Sequence, residues 1–230
     1  ILTRVLDLLI ERELIDYRKK QISRVLTALI NGETEESRLR ADIARGEYGR
    51  NPNEAQLGEI SDRLTKIIDL KTAEFWSVVS LVGAEYGGGN DEGPLPEDRA
   101  KWYGDFGWRN GRLFQFIDDK LDVVGDEEVT GKPVGLDIAN GTLNAVHLAA
   151  MQNPETPAKA RRRLFGTISD QEYRAGGVES ERVQKANRIA AQYGIPPLEY
   201  QVRKEVERLK FLMRDISSGN QIIYATLGAI

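Results

Sequence analysis

Apolar residues recur every third or fourth position along most of this chain and almost nowhere every second one. Ile22, Val25, Leu26, Leu29 and Ile30 follow the i, i+3, i+4, i+7, i+8 rule of a helix face, with Asn31-Gly32 as a stop signal. A second run sets Ile60, Leu64, Ile67, Ile68, Phe75, Val78, Val79 and Val82 along one broad stripe that ends in Gly87, Gly88 and Gly89. The loop GGGNDEGPLPED leads to a third helix carrying Trp102, Phe106, Phe114, Ile117 and Leu121. A polar loop from Asp122 to about Asn140 precedes helices over about 142–151, 156–169, 180–193 and 197–216. GIPP reads as a turn between the last two, since Pro is tolerated in a first helical turn. No two alternating β-branched runs flank a tight turn. The pattern predicts an all-α chain without internal repeats.

Composition narrows the class. The 230 residues suffice for one domain with a substantial core, and a single helical domain over 1–230 is expected. A net charge of -4 argues against a nucleic-acid partner, which requires a basic excess or stripe. Without cysteine there is no disulfide, thiolate nucleophile or zinc–cysteine site, and the single His147 removes most histidine metal sites and triads. The lack of cysteine fits a reducing compartment, and a cytoplasmic location is expected. The longest uncharged run, ISSGNQIIYATLGAI, is short of the ~20 apolar residues of a span, so no transmembrane segment is expected. The opening ILTRVLDLLIERELI is in full helical periodicity with neither Met nor cap, which predicts a chain whose N-terminal part is missing.

The chemistry concentrates in FQFIDDKLDVVGDEEVTGKPVGLD, residues 114–137. Asp118 and Asp122 share a helix face at i and i+4, Asp119 is adjacent, and Gln115 lies three and four residues before the first two aspartates. The rest of the helix is apolar. A DDxxD string alone reads most simply as a solvated acidic surface. The sharper reading is a hard-cation site, because Mg²⁺ takes one or two carboxylates and leaves its other positions to water and phosphate oxygens. The following loop favours the second reading. Gly125, Gly131 and Gly135 surround Lys132, so backbone N–H groups and an ammonium can approach an anion together. Lys71-Thr72, inside an apolar stretch, is either a lysine reaching to solvent or a second ammonium with a hydroxyl beside it. His147 reads as a structural histidine, and KARRRLF as a solvated helical face.

In order and spacing, KTAEFWSVVSLVGA, YGDFGWRNGRLFQFIDDKLD and GKPVGLDIANG resemble the trans-isoprenyl diphosphate synthases, the polyprenyl synthetase family. The match covers residues 60–141 well and the flanks loosely, as the C-terminal two-thirds of such an enzyme. The resemblance implies an all-α isoprenoid synthase-type bundle around a central cavity, usually a homodimer. It implies a Mg²⁺-dependent prenyltransferase that condenses an allylic prenyl diphosphate with isopentenyl diphosphate. Carried onto this chain, Asp118 would ligate Mg²⁺ most directly, with Asp119 and Asp122 in support. Lys71, Thr72, Gln115 and Lys132 would hold the allylic diphosphate and form the catalytic set.

Several positions depart from the family pattern. The family has an earlier aspartate-rich motif on a facing helix, and no second DDxxD stands in this sequence. Its grip on isopentenyl diphosphate is also expected upstream. Thr142 stands where a lysine commonly follows the glycine, Asn144 breaks a Thr-Leu-Pro run, and Trp108 and Arg112 are bulky for the helix contact before Phe114. Two alternatives follow: a non-catalytic regulatory subunit of a prenyl diphosphate synthase, and a helical interaction protein without a ligand. The retained Lys71, Gln115, Asp118, Asp119, Asp122 and Lys132 argue against the latter.

Overall fold

Asn53 opens the first sharply capped helix: its side chain accepts from the Gln56 N–H while Gln56 accepts from the Asn53 N–H, at 2.9 and 3.0 Å. The computed structural model describes residues 15–87 and 95–216. Among these the regular structure is helical throughout: α1 (Ile15–Arg45), α2 (Glu54–Ile68), a π-helical turn (Asp69–Ala73), α3 (Glu74–Gly87), α4 (Glu97–Val124), α5 (Glu127–Thr130), α6 (Leu136–Asn140), α7 (Ala145–Gln152), α8 (Ala158–Ser169) and α9 (Glu181–Ile216). Two short 3₁₀ turns, Gln171–Arg174 and Gly177–Glu179, join α8 to α9. The opening ILTRVLDLLI, expected to be helical, most of the GGGNDEGPLPED loop and the run from Ser217 onward lie outside the described residues.

Helix α7 is the hub. Every residue from Ala145 to Met151 is buried, which its nearly unbroken apolar sequence allows. Around it α2, α4, α8 and α9 pack a core that includes Ile60, Ile138, Val146, Met151, Leu164, Phe165, Ile168, Val183 and Leu198. His147 is fully buried and neutral, its pKa lowered to about 3 by burial. It closes a capping box at the head of α7, with Nδ1 accepting from the Asn144 N–H at 3.2 Å. Asn144, a departure from the expected pattern, is thus the residue that starts this helix.

Glycines expected to stop or loosen helices instead mark close approaches. Helix α1 runs straight through Asn31-Gly32, because a Cβ on Gly32 would stand 2.5 Å from Lys71 Cγ and 3.2 Å from Leu70 Cβ. The buried edge of α1 is Gln21, Ala28, Gly32, Leu39 and Ile43, whereas the expected stripe residues Leu26 and Ile30 are exposed. The α3–α4 contact is tighter still. A Cβ on Gly107 would sit 2.3 Å from the Trp76 carbonyl oxygen, and one on Gly111 would sit 2.7 Å from Ala73 Cα. Arg112 and Trp108, too bulky for such a contact, turn away from it. The Arg112 guanidinium lies 4.1 Å from the Trp108 ring centroid and forks onto Asp69 at 2.6 and 2.9 Å.

GIPP forms no turn: α9 continues through Pro196 and Pro197. A proline has no N–H for the carbonyl four residues back, so Pro197 leaves the Tyr193 oxygen without its helical donor. Asn153 Nδ2 supplies one at 2.9 Å. Just upstream, a Cβ on Gly194 would meet the Val146 carbonyl oxygen at 2.2 Å, so α7 presses directly on the α9 backbone.

Gly107→Ala is expected to destabilise the chain by roughly 1–3 kcal/mol, because the added methyl meets backbone that must shift. Gly83→Ala, where nothing lies within 4 Å of the added Cβ, serves as the control. Urea unfolding of both variants checks it.

Candidate functional site

Over its last three turns, helix α4 turns Asp119 and Asp122 inward and an apolar side outward. Asp119 and Asp122 are 4% and 3% exposed, while Phe114, Ile117, Leu121 and Val124 are 40–53% exposed. The expected acidic face on an apolar helix is therefore inverted. Of the DDxxD carboxylates, Asp118 alone keeps substantial exposure, its side chain being 46% accessible. The reason lies in the donors waiting below. Asp119 Oδ2 accepts the Ala145 N–H at the head of α7 at 2.8 Å, and its Oδ1 accepts Gln115 Nε2 at 2.8 Å. Gln115 Oε1 in turn accepts the Thr72 hydroxyl at 2.8 Å. One chain of hydrogen bonds thus joins the π turn, α4 and α7.

Asp122 secures the loop. Its two oxygens accept the Asp137 N–H at 3.2 and 3.3 Å, and its carbonyl accepts the Gly135 N–H at 2.7 Å. Left-handed Gly131 (φ 69°) and Gly135 (φ 82°) let the chain double back there. The fold-back sets Lys132 Nζ on Asp118 Oδ1 at 3.0 Å. Within this segment Lys132 meets Asp118 and Gln115 meets Asp119, while Asp122 takes the Asp137 N–H.

Lys71 faces a different way. Its ammonium lies between two glutamates of α1, 2.7 Å from Glu33 Oε1 and in contact with Glu36 Oε2. Burial works against its charge, but the two carboxylates more than offset that and raise its pKa. It neither points to bulk solvent nor touches the aspartates of α4.

Lys71, Thr72, Gln115, Asp118 and Asp119 line one cavity of about 210 Å³, with an apolar wall of Leu39, Ile43, Leu64, Ile67 and Ile68. Thr142 and Asn144, noted in the sequence only as departures, also line it, and residues that sequence reasoning did not single out complete it: Glu36 and Arg40 from α1, and Asp137. Asp137 was legible in principle as the last residue of the Gly-Lys-x-x-Gly-x-Asp string. Glu36 and Arg40 carry no local signal, since nothing near them in sequence distinguishes them from surface charges.

The carboxylates are held at an electrostatic disadvantage. Burial pushes Asp119 up to about 7, against the Ala145 and Gln115 hydrogen bonds. Asp122 is also pushed up to about 7, by burial and then by the neighbouring Asp137 charge. Asp137 is raised too, chiefly by burial, although Asn144 Nδ2 donates to it at 2.9 Å. Lys132 is raised above the usual lysine value, foremost by Asp118. Such a cluster favours cations or protons. Among the described residues no three acidic side chains are set to hold one ion together, and no helix is long and apolar enough to cross a membrane.

The all-helical bundle is of the isoprenoid synthase type. Solved structures with this arrangement include geranylgeranyl pyrophosphate synthase from Bacteroides thetaiotaomicron (TM-score 0.63, 18% identity, 86% of this chain and 57% of that one). Another is polyprenyl synthase from Caulobacter crescentus complexed with calcium and isoprenyl diphosphate (TM-score 0.61, 20% identity, 85% and 52%). The polyprenyl synthetase family model matches residues 12–178, and the chain belongs to that family. It is 32% identical over 164 residues to the short chain isoprenyl diphosphate synthase of Methanothermobacter thermautotrophicus, covering 69% of this chain and 46% of that protein. The chain thus spans about half the length of this relative.

A raised carboxylate pKa makes the folded state bind more protons than the unfolded one between about 3.8 and 7. The contribution of Asp122 to stability is therefore complete below that interval and is lost as pH rises through it. Asp122→Asn removes the charge and keeps an acceptor for the Asp137 N–H. Between pH 5 and pH 8, without divalent metal, the variant is expected to lose less stability than the native protein. Denaturant titrations at the two pH values check the difference.

Proposed function

We propose that the cavity binds the diphosphate of an allylic prenyl diphosphate, and that the protein acts as a Mg²⁺-dependent trans-prenyltransferase extending that substrate with isopentenyl diphosphate. The observation that carries this reading is the Lys132–Asp118 pair, which brings the ammonium of a glycine-rich loop to the one substantially exposed carboxylate of the DDxxD string. Family membership supports the reaction class.

The donor set suits the cation. All available ligands are hard oxygens, and Asp118 can supply one while the cation's other positions keep water or phosphate oxygen. When bound, Mg²⁺ would neutralise charge developing on the leaving diphosphate. Everything else falls to the chain. Asp119 and Asp122, tied to α7 and the loop, hold Asp118 and Lys132 in position. Lys132 and Lys71 would give up carboxylate partners for diphosphate oxygens, and the Thr72 and Gln115 polar groups would orient the same anion. The allylic C–O bond then breaks, the isopentenyl double bond attacks the allylic carbon to form the new C–C bond, and a proton leaves the product. Leu39, Ile43, Leu64, Ile67 and Ile68 provide the dry wall beside the site.

The regulatory-subunit reading keeps one specific support, Thr142 in place of a lysine. Both readings allow binding, and turnover separates them. In the full-length protein, Mg²⁺ and inorganic diphosphate are expected to bind with mutual reinforcement, because each supplies what the other lacks. Asp118→Ala should abolish that coupling, and Lys132→Ala should weaken diphosphate binding more than metal binding. Loss of the Lys132 cation should reduce turnover on the order of 10²–10³-fold. Calorimetry and steady-state kinetics check these outcomes. Equal diphosphate affinity with and without Mg²⁺ would refute the site.

A further inference from the structure

Three cations stand at or beside the cavity, and two are already matched. Lys71 has Glu33 and Glu36, and Lys132 has Asp118. The third, Arg40, is different. Its Nη2 lies 3.4 Å from Glu36 Oε1, at the long end of an ion pair and on a carboxylate that already takes Lys71. The same nitrogen donates to the uncharged Thr142 hydroxyl at 2.6 Å. Both contacts use Nη2, and among the described residues Nε and Nη1 have no hydrogen-bond partner. The side chain lines the cavity and is 48% exposed.

A second guanidinium backs the same turn. Arg174 packs against Gly141, where a Cβ would be only 2.6 Å from its Cζ, and it donates to the carbonyls of Thr167 and Ile168. Burial lowers its pKa against the opposing effect of the Asp170 charge, and the nearby Arg40 charge adds a smaller lowering. The turn Gly141-Thr142 thus carries positive charge on two sides. Thr142 itself occupies the place of the lysine that commonly follows the glycine in the resembling sequences. A lysine there would face Arg40 as a like charge, whereas threonine offers it an acceptor.

We propose that Arg40 is a diphosphate-binding residue of this cavity, delivering from α1 the cation that position 142 lacks. A phosphoryl group taken on a guanidinium fork would displace the long Glu36 contact of Nη2, so the exchange replaces a point charge with a directional contact. The inference rests on the diphosphate reading given above.

The test uses the full-length protein, Mg²⁺ and inorganic diphosphate in a calorimeter. Arg40→Ala is expected to weaken diphosphate binding about 10–100-fold, as for a lost hydrogen bond between charged groups, with little change in ligand-free melting temperature. Adding Thr142→Lys to Arg40→Ala is expected to restore most of the affinity. A purely structural role for Arg40 could not be rescued by a lysine on another element. Arg40→Gln removes the charge and keeps a polar side chain, so it gives the same answer if the alanine variant unfolds. Native-like affinity in Arg40→Ala or Arg40→Gln, or no rescue by Thr142→Lys, overturns the inference while leaving the cavity's diphosphate reading standing. Failure of the unaltered protein to bind diphosphate overturns both.

Discussion

A carboxylate taken out of water must find donors inside the protein, and Asp119 finds them on two different elements. That requirement sets the rotation of α4 about its own axis. With Asp119 turned down onto the first turn of α7, Asp118 next to it is carried to the cavity mouth and Phe114 to the surface. Gln115 transmits the constraint to Thr72, so the π turn cannot slide along α4 without breaking the chain. Gly107 and Gly111 make the arrangement possible by letting the helices come close enough for those side chains to meet. The buried charge fixes geometry more than it adds stability, the role for which buried polar groups are best attested.

The same economy governs the cations. In the ligand-free protein Lys71 and Lys132 rest on glutamate and aspartate side chains of the cavity rim, and their pKa values are raised accordingly. Each ammonium is thus already paired, while carboxylates remain in excess. An arriving anion competes with resident carboxylates for each ammonium, and a cation beside Asp118 would relieve that competition. On the proposed function, metal and anion would therefore be coupled through the protein's own ion pairs.

Much of this was legible in the sequence. The 3.6-residue period gave the fold class without ambiguity, and the three short motifs brought Lys132, Asp118, Gln115 and Thr72 into the right neighbourhood. Local signals failed where a distant element decided the outcome. Gly32 reads as a helix stop until Lys71 arrives against it from 39 positions away. The proline pair reads as a turn until Asn153 supplies the missing donor. The burial of Asp119 depends on an amide 26 residues downstream, which no periodicity within α4 can reveal. Glu36 and Arg40 were invisible for the plainest reason: charged residues on a long helix look alike until a cavity forms on one side of them.

The π turn at Asp69–Ala73 shows how closely spacing is regulated here. Its extra residue is one more than an α-helix would use over the same rise, and the Glu74 N–H reaches back to Asp69 to close the wider ring. Every residue in a helix turns the next by about 100°. The turn therefore acts as a phase shift in one long rod, letting α2 address α1 and α7 while α3 addresses α4. Loops absorb insertions and deletions, but a change of one residue between Leu64 and Ser77 would swing the whole of α3 away from the glycines that receive it. In this stretch the length of the chain is itself fixed by the geometry, as firmly as the identity of any side chain.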